Sequence, residues 1–235
     1  MRNDRTIDPE PFTNARIGVV RGDTVTFKAT LTPVTTLLDN QYSWTGEKTG
    51  DGPTIDVQFN TAGNRMEKLA VLGCTRKANI VVVDVPPPNE NAWARSYIFV
   101  DFTVPITANQ LAAEAQQWAA ANQASLGGGL HNGKADAARH AYWNVLMGID
   151  LTVTIAAQAA TAHERSNIEA NSPHNETAMD MLNNAVGRGL VAGLPANPTR
   201  ANAQTAVTGA LNAGSLTVLN PPNNTGDSGL LAPSN

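Results

Sequence analysis

The sequence predicts an α+β chain of two domains, a β-sandwich over residues 1–88 followed by a mainly α-helical domain over residues 89–235. Three observations lead there. Short runs with period-two alternation of apolar and polar residues, separated by Gly and Asn clusters, fill the stretch from Ile17 to Val85. Three consecutive prolines follow at 86–88 and cannot continue a central ladder, because they lack an N–H. Past Pro105 the chain becomes Ala-rich, with apolar residues at helical spacing. A length of 235 residues lets two modest domains each bury a core.

In "DTVTFKATLT", Val25, Phe27, Ala29 and Leu31 share one face and the threonines and Lys28 the other, as in a half-buried strand. Further strands are expected at Gln41 to Thr45, Thr54 to Phe59, Lys68 to Leu72 and Asn79 to Val85. The segments "GEKTGDGP" and "NTAGNR" supply turns. Several strands at this spacing suit a sandwich. The order "QYSWTGEKTGDG", "TIDVQFNTAGNRMEKLAVLG", "NIVVVDV" resembles the polycystic-kidney-disease-type (PKD) branch of immunoglobulin-like modules, with residues inserted between Trp44 and Gly52. That resemblance implies an immunoglobulin-like sandwich. Trp44 is expected to fill its core.

"SYIFVDFTV" reads as one more strand, able to pair with "SLTVL" near residue 217. Thr107 then caps the first helix, "ANQLAAEAQQWAAANQAS". After the break at "LGGGLHNG", helices are expected at Lys134 to Met147, stopped by Gly148, and at Thr152 to Arg165. Ser172-Pro173 starts a fourth, through about Arg188, and Ala201 to Asn212 forms a fifth. The tail "NPPNNTGDSGLLAPSN" has little to bury and reads as extended.

Composition narrows the functional classes. Residues 105–235 carry 5 Lys/Arg against 8 Asp/Glu, with no basic run to neutralise phosphates, so nucleic acid is not expected as a partner. Cys74 is the single cysteine, which excludes an intrachain disulfide and a cysteine metal site; it reads as a small buried apolar residue. No stretch approaches a transmembrane length. "MRNDRTIDPEPF" does not read as a signal peptide, so export is expected to use another route, or the chain to be part of a longer secreted protein.

Candidate chemistry concentrates in the helical domain, which holds His131, His140, His163 and His174. Asp136 and His140 stand four apart on one helix face, and Asp180 and Asn184 repeat that spacing, with Arg188 one turn on. Two helix faces and His163 on a third helix can meet around one polar pocket, as in metal sites between bundle helices. His163 and Glu164 lie about 100° apart around their helix, so one would be ligand or base and the other a supporting or acid group. The sequence lacks HExxH and G-x-S-x-G, against a zinc protease and a serine lipase. His131 and His174 read as structural, and the Gly-rich "GGGLHNG" as flexible or as a weak anion cradle.

The segments "ADAARHAYWNVLMG", "AATAHERSN" and "AMDMLNNAVGRGL" resemble a helical domain found at the C-termini of Rhs-type and wall-associated polymorphic toxins, with the pattern RH-x-x-W, AHE, D-x-x-NN-x-x-GR. The matching positions are Arg139, His140, Trp143, Asn144; Ala162, His163, Glu164; Asp180, Asn183, Asn184, Gly187 and Arg188. The resemblance implies a secreted effector, with an immunity protein and a secretion component as partners, and specifies no chemistry. The order of His, His-acid and Asp is similar to that of the HD metal phosphohydrolases, but the acid is Glu164 and their second metal-binding His is missing.

The reading reached is a hydrolase acting on a cell-envelope substrate, peptidoglycan or phospholipid. Asp136, His140, His163 and Asp180 form the set for a divalent metal, zinc or similar; otherwise the histidines act directly as base and acid. Glu164 carries protons, Arg188 stabilises developing negative charge, Asn184 orients, and Arg139 binds substrate or pairs internally. A metal-free glycosidase pair of Glu164 and Asp180 stands beside this. The other class is a non-catalytic adhesion or delivery module whose polar helix network only specifies the fold.

Overall fold

The computed structural model describes residues 2–3, 16–29, 37–220 and 229–235. They form an α+β fold with an N-terminal sheet region and a helical C-terminal region of six α-helices. The elements are β1 (Arg2–Asn3), β2 (Ile17–Val20), β3 (Thr24–Lys28), β4 (Tyr42–Thr45), β5 (Thr54–Gln58), β6 (Gly63–Val71) and β7 (Cys74–Val83). There follow α1 (Glu90–Ser96), α2 (Thr103–Ala121), α3 (Lys134–Asp150), α4 (Val153–Glu169), α5 (His174–Leu190), α6 (Arg200–Asn212), β8 (Thr217–Asn220) and β9 (Leu230–Pro233).

One sheet has the order β1-β3-β5 and a second the order β2-β7-β6-β4. The alternation read in "DTVTFKATLT" is observed: Val25 and Phe27 are buried opposite Val57 and Ile55 of antiparallel β5. They share one apolar cluster with Val19, Trp44, Leu69 and Val82 of the second sheet. Trp44 fills that core, 6.3 Å from the Phe27 ring, with its indole N–H donating to the Gly52 carbonyl at 2.9 Å. The β6–β7 hairpin turns on Leu72 and Gly73, both at positive φ, a two-residue connection matching strand twist. Leu31 lies outside the described residues.

The valine-rich runs are buried on both sides. Val20, Val81, Val83 and Val85 pack against Ala178 and Met179 of α5 and against Leu219 and Leu231 of the short β8–β9 sheet. A continuous apolar run is what a strand covered on both faces requires. The approach is close enough that a Cβ on Gly18 would lie 2.7 Å from Cβ of Ala178. At the same seam His174, the first residue of α5, places Nδ1 2.8 Å from the buried Asp23 carboxylate. That is a structural role, as expected for this histidine.

In the helical region α3 is the central element. Ala137, Ala138, Ala141, Tyr142, Val145, Leu146 and Met147 are all fully buried. Alanine lets α5 approach directly: a Cβ on Gly187 would lie 2.2 Å from the Ala141 carbonyl oxygen.

Several expectations are corrected. Ser96 to Val104 is not a strand. Hydrogen bonds from Val100 N and Asp101 N to the Tyr97 carbonyl close turns, and α2 begins at Thr103. Asp101, rather than Thr107, serves its start, accepting from the Thr103 N–H and hydroxyl. The β-prone run misleads because its apolar side chains face outward; Phe99 is 98% exposed. The "SLTVL" strand pairs instead with the tail, Leu219 opposite Leu231. Residues 221–228 of that tail lie outside the described residues. Gly148 does not stop α3, which continues to Asp150; a Cβ there would lie 2.6 Å from Val191, so this glycine serves packing. Cys74 is exposed at the start of β7. α1, capped by Asn89 accepting from Ala92 N, has no counterpart in the expected elements.

Candidate functional site

The i, i+4 spacing does on α3 and α5 what it predicts. Asp136, His140 and Asn144 form one stripe, Asp180, Asn184 and Arg188 another, and the two face each other beside Glu164 of α4. Nε2 of His140 lies 3.2 Å from Asp180 Oδ1 and 3.8 Å from Asp136 Oδ1. Nδ1, on the other side of the ring, lies 4.0 Å from Glu164 Oε1. These groups border a pocket of about 200 Å³ lined by Asp136, Arg139, His140, His163, Glu164 and Asp180, among others.

Loop chemistry fixes Asp136. Gly127, Gly128, Gly129 and Asn132 all adopt positive φ. The Gly128 and Gly129 carbonyls accept from Ala135 N and Asp136 N, and Asn132 N donates to Asp136 Oδ2 at 2.6 Å. Two of the first amides of α3, Ala135 N and Asp136 N, are therefore engaged with the loop. The loop orients a carboxylate.

The protonation of His140 follows from its neighbours. Nη2 of Arg139 lies 2.7 Å from Nε2, and a guanidinium only donates, so Nε2 accepts and the ring proton sits on Nδ1, toward Glu164. Burial, then the charges of Arg139 and His163, hold the imidazole pKa well below its ordinary value, so the ring is neutral, with its Nε2 lone pair taken up by Arg139 and the two aspartate oxygens alongside. Burial and the nearby Glu164 and Asp136 carboxylates push Asp180 well above the usual carboxylate range. Its buried Oδ1 accepts no hydrogen bond among the described residues.

Glu164 is fully buried and, through burial above all, is pushed up to about 6. Asn167 Nδ2 at 3.1 Å and Asn184 Nδ2 at 3.4 Å donate to its two oxygens. A carboxylate whose folded pKa lies above its unfolded value of 4.5 stabilises the fold below pH 4.5 and loses that contribution as pH rises through about 6. Urea unfolding of Glu164→Gln against the parent is therefore expected to show the variant gaining about 2 kcal/mol relative to the parent between those pH values. A constant difference would place the carboxylate in water.

Asn184 also accepts from Asn144 Nδ2 at 2.7 Å, and Arg188 Nη1 donates to Asn144 Oδ1 at 2.9 Å. Arg188, Asn144, Asn184 and Glu164 thus form a chain of donors and acceptors that ends behind His140. Arg188 and its partner Asn144 are not among the residues that border the pocket. Arg139 is the cation in the pocket, bound through Nε and Nη2 to Asp136 Oδ1. Asn183 holds β8, exchanging hydrogen bonds with Thr217 N and O at 2.8 Å.

His163 borders the pocket but does not join the converging donors, which corrects its place in the metal set. Its Nδ1 lies 3.3 Å from Glu90 Oε2, and that partner raises the imidazole pKa while the imidazole lowers that of Glu90. Its ring stands edge-on to Trp143 at 5.6 Å. Glu90 was not legible in the sequence, lying on α1, and Asn144 stood out only as a position of the toxin-domain pattern. His131 lies exposed at the rim, 3.5 Å from Glu176.

Asp136, His140 and Asp180 each offer one ligand atom, and these lie within 4.8 Å of one another. Two carboxylates and one imidazole fit a divalent cation of the zinc or manganese kind, and the unpaired Asp180 Oδ1 is an oxygen that such a cation would satisfy. The His140 Nδ1 makes no hydrogen bond among the described residues, with Glu164 Oε1 4.0 Å away. No helix among the described residues is long and apolar enough to cross a membrane.

The fold and this site define an α-helical domain with a buried acid–imidazole centre able to hold a metal. Residues 98–215, half of the chain, match the family described as Domain of unknown function (DUF6973), and the chain belongs to that family. No solved structure matches it.

Proposed function

We propose that the chain is a hydrolase of a cell-envelope substrate, peptidoglycan or phospholipid, exported as an antibacterial-type effector. The division at residue 88 into an immunoglobulin-like, PKD-type sandwich and an effector domain, and the partnership with an immunity protein and a secretion component, belong to the same reading. The observation that carries the chemistry is His140, neutral, with Nε2 between Asp136 and Asp180 and Nδ1 toward Glu164. A divalent cation on these three ligands would supply Lewis acidity and activate water at neutral pH. His163, whose imidazole pKa Glu90 raises, presents its Nε2 as proton donor to a leaving group. Glu164, which borders the same pocket 4.0 Å from His140 Nδ1, keeps the role of proton carrier.

The test pairs activity with stability. Purified protein is incubated with envelope fractions with and without chelator, and His163→Ala is compared with the parent. Loss of at least about 100-fold in rate with an unchanged Tm supports a proton donor; equal rates, or a variant that simply unfolds, support the non-catalytic reading. Arg139 bears on the same choice, because its guanidinium already occupies Asp136 Oδ1 and His140 Nε2. If a metal uses these atoms, ion and guanidinium compete. Arg139→Gln is then expected to tighten Zn²⁺ or Mn²⁺ binding by about ten-fold or more in calorimetry, the equivalent of one charge-assisted hydrogen bond removed. Unchanged or weaker binding would make Arg139 the permanent cation of a structural network.

A further inference from the structure

The run from Ile98 to Ile106 has the composition of a strand, yet it forms a loop and the start of α2 with its apolar side chains in the open. Nine large apolar residues are exposed among the described residues, and five of them fall here: Ile98, Phe99, Val100, Phe102 and Ile106. Apolar residues scattered singly over a surface are ordinary, whereas a contiguous group marks a contact. Phe99, at 98% exposure, leans on almost nothing of its own chain, so the group is a projecting tip rather than a groove.

The tip is built to project and stay folded. The amides of Ile98, Val100, Asp101 and Val104 donate to carbonyls of Arg95, Tyr97, Tyr97 again and Asp101. The turn thus satisfies its own backbone donors, as a segment entering hydrocarbon must. Tyr97 ties down the base, its ring edge-on to Trp93 at 5.3 Å and its hydroxyl donating to Gln158 of α4. α1 lies antiparallel to α4, with Glu90 beside His163 and Ser166 and Tyr97 beside Gln158. The tip therefore lies toward the start of α4, where Val153 is exposed as well. Asp101 is the tip's one charge, and its carboxylate turns back to α2, accepting from the Thr103 N–H and hydroxyl.

We infer that residues 98–106 dock the protein on the surface of a lipid bilayer. Size and shape select this occupant. The five exposed side chains present roughly 500 Å² of apolar surface, more than a surface carries without a contact and less than the about 800 Å² each partner gives to a standard protein interface. A convex tip demands a matching hollow of a protein partner, while acyl chains part around it. Phe99 and Phe102 would enter the acyl boundary by about 5–10 Å, with Tyr97 and the exposed Arg95 at the headgroup level, where amphipathic rings and cations settle. The inference goes beyond the hydrolase reading and stands without it, since Asp136, His140 and Asp180 take no part.

The experiment floats the full chain with vesicles of phosphatidylethanolamine and phosphatidylglycerol, at low salt and at about 1 M salt, where exposed charges are screened within ~3 Å. The chain is expected to float in both, because apolar burial drives the contact. Phe99→Asp should weaken partitioning by at least about ten-fold, the worth of one buried phenyl ring, with Tm unchanged because the ring supports nothing in the fold. Leu72→Asp, at the exposed turn between β6 and β7, should float like the parent, and so should Asp180→Asn. Phe99→Trp should add an emission that shifts to the blue on vesicles and is quenched by brominated acyl chains. A chain that stays in bulk solution, flotation lost at high salt, or equal losses in Phe99→Asp and Leu72→Asp overturns the inference. So does a dimer in sedimentation that Phe99→Asp dissolves, which would make the tip a contact between copies.

Discussion

Asp180→Asn is expected to reduce hydrolysis of envelope material by at least about 100-fold while leaving the fold intact. Asn has the same shape but cannot offer an anionic oxygen at the position 3.2 Å from His140 Nε2. Stability should hold or rise. Burial and the carboxylates of Glu164 and Asp136 disfavour a charge at Asp180, so neutralising it removes an electrostatic cost rather than a support. Initial rates and thermal melts on the same preparation check both halves. An active variant would dismiss Asp180 as a ligand, and an unfolded one would make it a structural group.

Gly187→Ala is expected to be the most destabilising small substitution in the helical region. The added Cβ would lie 2.2 Å from the Ala141 carbonyl oxygen and 2.8 Å from its Cα, both backbone atoms that cannot rotate away. The α3–α5 crossing would have to open, at a cost of about 3 kcal/mol, or roughly 6–12 °C in Tm for a chain of this size. Opening it would also draw Asp180 away from His140, so divalent binding should weaken in parallel. Gly189→Ala is the internal control. Nothing lies within 4 Å of a Cβ there, and exchange of glycine for alanine in an open helical position should raise stability by up to about 1 kcal/mol. Equal melting temperatures for the two variants would show that the crossing is not close-packed.

Much of this arrangement was legible because it depends on local spacing. Val25 and Phe27 alternate with threonines, and β3 forms there with those two side chains inward. Asp136 and His140, like Asp180 and Asn184, are one helical turn apart, and their faces meet. What was not legible depends on distant partners. The Tyr97 to Phe102 segment carries the residues of a strand, yet no edge among the described residues pairs with it, and the chain turns into α2 instead. Leu230–Pro233 looked too short of apolar surface to fold, but β8 offers it a ladder and the valine face of the second sheet a place to bury Leu231. The sequence leaves open which of His163 and Glu164 faces the centre. On a helix only one of two adjacent residues can face the centre, and the inward one is Glu164, because Glu90 of α1 pairs with the imidazole from the other side. Nothing within one helix reveals such a partner.

The position of His140 is the hinge of the whole account, so the most direct measurement is calorimetric titration of metal-stripped protein with Zn²⁺ and Mn²⁺. One equivalent is predicted to bind, with protons released as Asp180 gives up its own, and binding is predicted to vanish in His140→Ala. Heat from several weak surface sites, or a stoichiometric site that survives His140→Ala, would contradict it.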